Sequence, residues 1–180
     1  MRSVTFLGFN VYGIGIYFDE NNSKQVKSIL GGYDLSSDLN NEKSVEIISK
    51  IIDTTNFKIR ISPVRNTDFN HLKDGFIKSI LSSPLKKEYG EEVNHGLDEI
   101  RSIFKNFKGS VPKNHILLLS TNNGSLSFTY ENTKSGEIRE IGKVNEKVVS
   151  KLLLLCYLSN AKPLSESLRT SCNQGWNELI

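Results

Sequence analysis

The sequence predicts an α+β domain in which helices are layered on one face of an antiparallel sheet. Segments with strand and helix patterns follow the order strands, helices, strands, helices, which is typical of this class. The late strands are separated by short turns, as in an antiparallel meander. The chain has 180 residues, of which 37% are hydrophobic, and this is enough for one core. We therefore expect residues 1–180 to form a single domain.

The first two strands are predicted to form a hairpin. The run Val4–Phe18 is uncharged, but its fifteen residues fall short of the roughly 20 that a membrane helix needs. A two-residue turn that begins with Gly8 predicts a type II′ hairpin. Residues 12, 14, 16 and 18, which are Tyr12, Ile14, Ile16 and Phe18, then share one face. Gly13 and Gly15 share the other face and leave a trough that suits either a closely packed helix or a ligand.

The middle of the chain alternates between helix and strand patterns. The predicted elements are helix Ser23–Leu30, helix Glu42–Asp53, strand Phe57–Val64, helix Phe69–Leu81 and helix Val93–Phe107. The helices follow from apolar residues at spacings of three and four, and the strand follows from strict alternation of apolar and polar residues. The polar triplet at residues 66–68 supplies an N-cap for the helix that begins at Phe69.

Three strands and two helices are predicted after residue 114. The strands are Ile116–Ser120, Leu126–Tyr130 and Glu137–Val144, and the helices are Glu146–Leu158 and a last one from Ser165 to Trp176. The turn at residues 122–124 and Pro163 provide the breaks. Helices Phe69–Leu81, Val93–Phe107 and Glu146–Leu158 are expected to cover one face of the sheet.

Composition and motifs exclude several classes of function. The net charge of +3 comes from 23 basic and 20 acidic residues, and the basic residues are scattered, so a nucleic-acid partner is not expected. Cys156 and Cys172 are too few for a disulfide scaffold and lack the spacing of a zinc site, which fits a reducing compartment. Phosphate-binding loops, dinucleotide fingerprints and serine-hydrolase elbows are absent from the sequence.

His71 is the histidine best placed for a binding role. On the helix Phe69–Leu81 it shares a stripe with Gly75 and Lys78, next to an apolar stripe. A helix glycine costs about 1 kcal/mol relative to alanine, and Gly75 clears the turn beside the imidazole for a flat ligand. The alternative is that Gly75 admits a neighbouring helix and His71 only forms a hydrogen bond. His95 is expected to be solvated, and His115 to orient the end of a strand.

Four stretches of the chain, taken together, resemble the chalcone isomerase fold family. They are RSVTFLGFNVYGIGIY at residues 2–17, ISPVRNTDFNHLKDG at 61–75, GSVPKNH at 109–115 with NGSL at 123–126, and VNEK at 144–147. The chain resembles in particular the fungal mitochondrial "altered inheritance of mitochondria" branch. The resemblance implies an open-faced sandwich with a ligand cleft between the sheet and the helices.

The resemblance also implies which residues line that cleft. Arg2 matches the arginine that stabilises the enolate in the plant isomerases, and it is a vestigial candidate for catalysis. Tyr12, His71, Lys78 and Cys156 fall at the other polar cleft positions, and Tyr157 follows Cys156. Because these side chains differ from the plant pattern, the resemblance implies a binding protein that has lost isomerase activity.

The fungal branch is associated with haem, so the resemblance implies a b-type haem with His71 as its axial ligand. Gly75 would make room for the ring, and Arg2 or Lys78 would pair with the propionates. The alternatives are a chalcone–flavanone-type intramolecular lyase and a fatty-acid-binding protein that uses Arg2 as its cation. The resemblance further implies a mitochondrial protein associated with the inner membrane. Since Met1 directly precedes Arg2, we expect a truncated form of a membrane-anchored chain.

Overall fold

The computed structural model describes residues 2–6, 9–35, 41–159, 161 and 163–179; at residues 2–6, 9–11 and 41 only the backbone is described. The strands are β1 (Arg2–Phe6), β2 (Phe9–Phe18), β3 (Phe57–Pro63), β4 (Thr67–Asp68), β5 (Ser110–Val111), β6 (Ile116–Asn122), β7 (Ser125–Asn132) and β8 (Glu137–Val144). The helices are α1 (Ser23–Leu30), α2 (Asn41–Thr54), α3 (Phe69–Ser82), α4 (Gly90–Phe104), α5 (Lys147–Leu158) and α6 (Glu166–Asn177).

Six of the described strands form one antiparallel sheet in the order β1-β2-β3-β6-β7-β8. The predicted hairpin is confirmed, but Phe9 pairs with Phe6 as the first residue of β2 and is not a turn residue as predicted. Residues 7 and 8 lie outside the described part of the chain. The short strands β4 and β5 pair separately, next to the start of α3.

The helices cover one face of the sheet, which confirms the predicted fold class. Apolar residues of β2 and β3 pair in register on the covered face, with Ile14 opposite Ile61 and Ile16 opposite Ile59. Helix α5 is buried on all sides because it packs against α2, α3, α4, α6 and β7. Its central place explains why its sequence is apolar around almost the whole helix.

Helix α4 begins and ends three residues before the predicted bounds of Val93 and Phe107. It begins at Gly90, whose φ of 49° suits glycine. Two glutamates in its first turn favour this start because they face the positive end of the helix dipole. After Phe104 the chain turns, and the amide of Phe107 donates to the carbonyl of Phe104.

Candidate functional site

Helix α3 presents its apolar stripe to the core and the stripe of His71 to solvent. Its buried residues are Phe69, Leu72, Phe76 and Ile80. His71, Gly75 and Lys78 are all exposed. An added Cβ at Gly75 would meet nothing within 4 Å, so no described helix packs against Gly75, and the space beside it is open to solvent. The prediction that this stripe faces the cleft is wrong, because burying the aromatic and aliphatic stripe gains far more free energy.

At the start of α3 a polar side chain caps the helix. The carboxylate of Asp68 accepts the backbone N–H of His71 at 2.8 Å, which confirms the predicted N-cap. The imidazole of His71 takes no part in this hydrogen bond, and His71 is exposed.

Three of the predicted cleft residues do lie close together, where β2, α3 and α5 meet. The thiol of Cys156 is buried and donates to the carbonyl of Ser79 at 3.4 Å, which ties α5 to α3. Tyr157 is also buried, and Tyr12 lies close enough to influence its ionisation. Tyr12 is half-buried and forms a side-chain hydrogen bond with Thr67. Arg2 pairs with Ile14 through the backbone, and its side chain lies outside the described part.

Burial favours the protonated form of both phenols. Desolvation raises the pKa of Tyr12, although its hydrogen bond to Thr67 and the charge of Arg65 oppose the rise. The pKa of Tyr157 is raised further, first by desolvation and then by Cys156 and Tyr12. At neutral pH the pair can donate hydrogen bonds but does not supply an anionic base or nucleophile.

The raised pKa of Tyr157 predicts a loss of stability in alkali. Near neutrality its phenol is protonated in the folded and the unfolded chain, so it adds no pH dependence. Above about pH 10 the unfolded chain releases a proton that the folded chain retains, and the free energy of unfolding falls by up to about 1.4 kcal/mol per pH unit. Urea unfolding at rising pH measures this slope, and we expect Tyr157→Phe to make it shallower.

The control for that series is Tyr17→Phe, which removes a phenol that is 55% exposed. If Tyr157→Phe and the wild type lost stability equally steeply in alkali, the buried phenol would not be the group responsible.

The two other histidines were predicted to be solvated and to orient a strand end, respectively. His95 is exposed, with its Nδ1 3.7 Å from a carboxylate oxygen of Glu146. His115 is 4% exposed at the start of β6, and its Nδ1 lies 2.5 Å from the hydroxyl of Tyr130. This contact joins β6 to β7 and agrees with the predicted role of orienting a strand end. In the described part of the chain, no three His, Cys, Asp or Glu side chains are grouped so as to hold a metal ion.

A cavity of about 460 Å³ lies between β2 and α6, away from α3. Its walls are residues 13–18 of β2, Phe57 and Arg60 of β3, Leu158 of α5, and Leu168, Ser171, Cys172, Gly175 and Trp176 of α6. Trp176 closes one side by stacking on Phe18, with ring centroids 5.3 Å apart. Phe57, Leu158 and Leu168 add apolar side chains to this wall.

Residues from both faces of β2 line the cavity, with Ile16 on the helix side of the sheet and Tyr17 on the other. The predicted trough at Gly15 is filled by the ring of Tyr17, whose hydroxyl lies 2.6 Å from where a Cβ of Gly15 would be. A side chain of the same strand, and not a helix, therefore takes the space that the glycine leaves.

Most of the cavity wall was not predicted from the sequence. The glycines of β2 were singled out, but Arg60, Cys172, Gly175 and Trp176 were not. A glycine in the middle of the last helix, one position before the only tryptophan of the chain, is the signal that marks this wall. The walls come from segments more than a hundred residues apart, and periodicity within one segment does not show which of them meet.

The chain resembles known proteins over nearly its whole length. Residues 1–173 match the family model described as chalcone isomerase like. "Altered inheritance of mitochondria protein 18, mitochondrial" of Debaryomyces hansenii is 49% identical over 189 residues, which cover 98% of this chain and 64% of that protein. The protein of the same name from Kluyveromyces lactis is 39% identical, with 95% and 60% covered. The chain thus spans less than two thirds of the length of these relatives.

A solved structure shares the fold. The crystal structure of a fatty-acid-binding protein of Arabidopsis thaliana superposes with a TM-score of 0.71, covering 99% of this chain and 85% of that one at 21% identity.

No described helix is both long and apolar enough to cross a membrane.

Proposed function

Since the chain belongs to the chalcone isomerase-like family, we propose that it is a binding protein that holds a small apolar molecule between β2 and α6. The cavity of about 460 Å³ carries this proposal. Pockets for small molecules occupy roughly 300–1,000 Å³ and are lined mainly by apolar and aromatic side chains with a few polar groups. Ile14, Ile16, Phe18 and Trp176 supply the apolar wall here, and Arg60 and Cys172 supply polar groups.

Binding without catalysis fits the chemistry of the predicted cleft residues better than ring closure does. Tyr12 and Tyr157 are protonated phenols, and Cys156 is engaged with the carbonyl of Ser79. None of these groups offers a base to a substrate at neutral pH. Intramolecular lyase activity is the alternative, and accelerated closure of a chalcone that is lost in Arg2→Ala would favour it.

Haem is a further candidate for the ligand, and it stays a prediction from the resemblance. The described residues around His71 do not fit an enclosed haem, because His71, Gly75 and Lys78 are exposed to solvent. The cavity at α6 is the place where we expect an apolar ring or an acyl chain to be shielded from water.

Relatives named as mitochondrial proteins support a mitochondrial location for this chain. We propose this location together with the binding function. Association with the inner membrane is an expectation from the resemblance alone.

Two glycines make a matched test of the cavity. An added Cβ would meet nothing within 4 Å at either Gly175, which lines the cavity, or Gly75, which does not. Leucine at either position raises helix propensity by about 0.8 kcal/mol, so both variants should fold. We expect Gly175→Leu to fill the cavity and weaken binding by about tenfold or more, equivalent to about 1.4 kcal/mol. Gly75→Leu should bind as the wild type does.

Trp176 provides the readout, because it is the only tryptophan of the chain and lines the cavity. Dodecanoate with a terminal bromine quenches tryptophan fluorescence on contact, and hemin can be titrated in parallel by its Soret band. Equal affinities in Gly175→Leu and the wild type would contradict the proposal. Hemin binding that is lost in His71→Ala and Gly75→Leu but kept in Gly175→Leu would instead favour the haem site predicted from the sequence.

A further inference from the structure

Trp176 carries a buried hydrogen-bond donor for which the described part of the chain supplies no acceptor. The residue is 4% exposed on α6 and lines the cavity. Its indole Nε1, the one polar atom of the side chain, forms no hydrogen bond with any residue that the structure describes. No other described residue of the cavity wall has a fully buried polar side-chain atom in this situation. Buried indole N–H groups normally have an acceptor, so this one indicates a missing partner.

Two aromatic neighbours hold the indole in place. Phe18 stacks on it with ring centroids 5.3 Å apart and an angle of 25° between the planes. Phe57 meets it almost at a right angle, at 6.4 Å and 81°. Neither phenyl ring offers an oxygen to the N–H. Because a packed ring cannot turn toward a distant acceptor, the cavity that Trp176 lines is where an acceptor can approach.

The acceptor that suits this part of the wall is uncharged. An indole N–H is a neutral donor, and one hydrogen bond from it does not offset the free-energy cost of taking a carboxylate out of water. Arg60 is the only charged residue of the described wall. It alternates along β3 with the buried Ile59 and Ile61, so it belongs to the opposite face of the sheet. The sheet therefore separates this cation from the indole on the helix side.

We infer that the indole N–H of Trp176 donates a hydrogen bond to a neutral carbonyl oxygen of the ligand between β2 and α6. This rests on the proposed function and specifies its ligand class, an apolar molecule that carries an uncharged carbonyl group. The apolar body contacts Ile16 and Phe18, and the carbonyl lies at the edge of the indole. Trp176 is then a specificity-determining residue, which distinguishes a carbonyl compound from a hydrocarbon of the same size.

Three probes with the same carbon skeleton test the inference. Propiophenone, propylbenzene and 3-phenylpropanoate each have a phenyl ring and a three-carbon chain, and they differ in carrying a ketone, no oxygen or a carboxylate. Isothermal titration calorimetry measures their affinities for the wild type, Trp176→Phe and Ser171→Ala. Trp176→Phe keeps an aromatic ring and loses the N–H. Ser171→Ala is the matched control, because it removes a hydroxyl from the same helix and the same wall.

We expect Trp176→Phe to lower the ratio of ketone affinity to hydrocarbon affinity by about fivefold or more, because the buried carbonyl then lacks its donor. The dehydration of each probe is the same in all variants and cancels in this comparison. Ser171→Ala should leave the ratio unchanged. A ratio that survives in Trp176→Phe overturns the inference, and so does a ratio that falls only in Ser171→Ala. Tighter binding of 3-phenylpropanoate than of propiophenone to the wild type also overturns it.

The indole gives a second measurement that needs no variant, because Trp176 is the only tryptophan of the chain. In the nitrogen-15-labelled wild type, its Nε1–H proton resonance should move downfield with propiophenone and not with propylbenzene. An equal response to the two probes overturns the inference. Failure of the proposed function looks different, because then neither the ketone nor the hydrocarbon binds and the resonance stays in place with both.

Discussion

Phe128→Ala is expected to lower the free energy of unfolding by about 3–5 kcal/mol. Phe128 lies on β7 and is 1% exposed. Its ring packs edge-on against Phe76 of α3 at 5.5 Å and against Phe104 of α4 at 5.4 Å. One side chain thus anchors two helices on the sheet, and its removal leaves a cavity that neither helix can fill without moving. Since domains are stable by about 5–15 kcal/mol, this loss is a large part of the total.

Urea unfolding followed by circular dichroism measures the effect of Phe128→Ala. The control is Ile138→Ala on the neighbouring strand β8, because Ile138 is 65% exposed and its truncation should change stability by less than about 0.5 kcal/mol. Similar losses in the two variants would mean that the aromatic cluster does not hold α3 and α4 on the sheet.

Gly96→Leu should be the second strongly destabilising change, with an expected loss of about 1–3 kcal/mol or more. Gly96 is buried in α4 at its crossing with α5. An added Cβ would collide with Cγ1 of Val149 and lie 3.0 Å from Cγ of Glu146. The two helices would have to move apart, although the carboxylate of Glu99 holds them by accepting the amides of Asn145 and Glu146 at 2.8 and 2.9 Å.

Gly75→Leu is the control for Gly96→Leu as well, because it introduces the same side chain into a helix where nothing lies within 4 Å. We expect it to raise the midpoint of thermal unfolding while Gly96→Leu lowers it. If both variants were stabilised, α4 and α5 would not be packed as closely as the structure places them.

Much of the secondary structure was predictable because its causes are local. Alternation from Phe57 onward identified β3, and Asp68 acts as the N-cap that its position before Phe69 predicted. Apolar spacing from Val149 to Cys156 identified α5. Where bounds differ, as at Gly90, the cause is a glycine at positive φ that no spacing of apolar residues reveals.

The candidate site was predictable only in part. The resemblance led to Tyr12, Cys156 and Tyr157, and the structure brings these three together. It also led to His71, which the structure places in solvent. Helix α3 carries an apolar stripe next to the stripe of His71. It buries the apolar stripe, which leaves His71 exposed.

The sequence by itself determined the order of strands and helices, the antiparallel sheet with helices on one face, and the family. These follow from side-chain periodicity, caps and turns, which act over a few residues, and from motifs spread along the chain. Only the tertiary structure decided that His71 faces solvent, and that Arg60, Gly15 and Trp176 border one cavity. Such choices depend on which segments pack together across the sheet. Packing is set by the total apolar surface that the whole chain buries, which no single segment specifies.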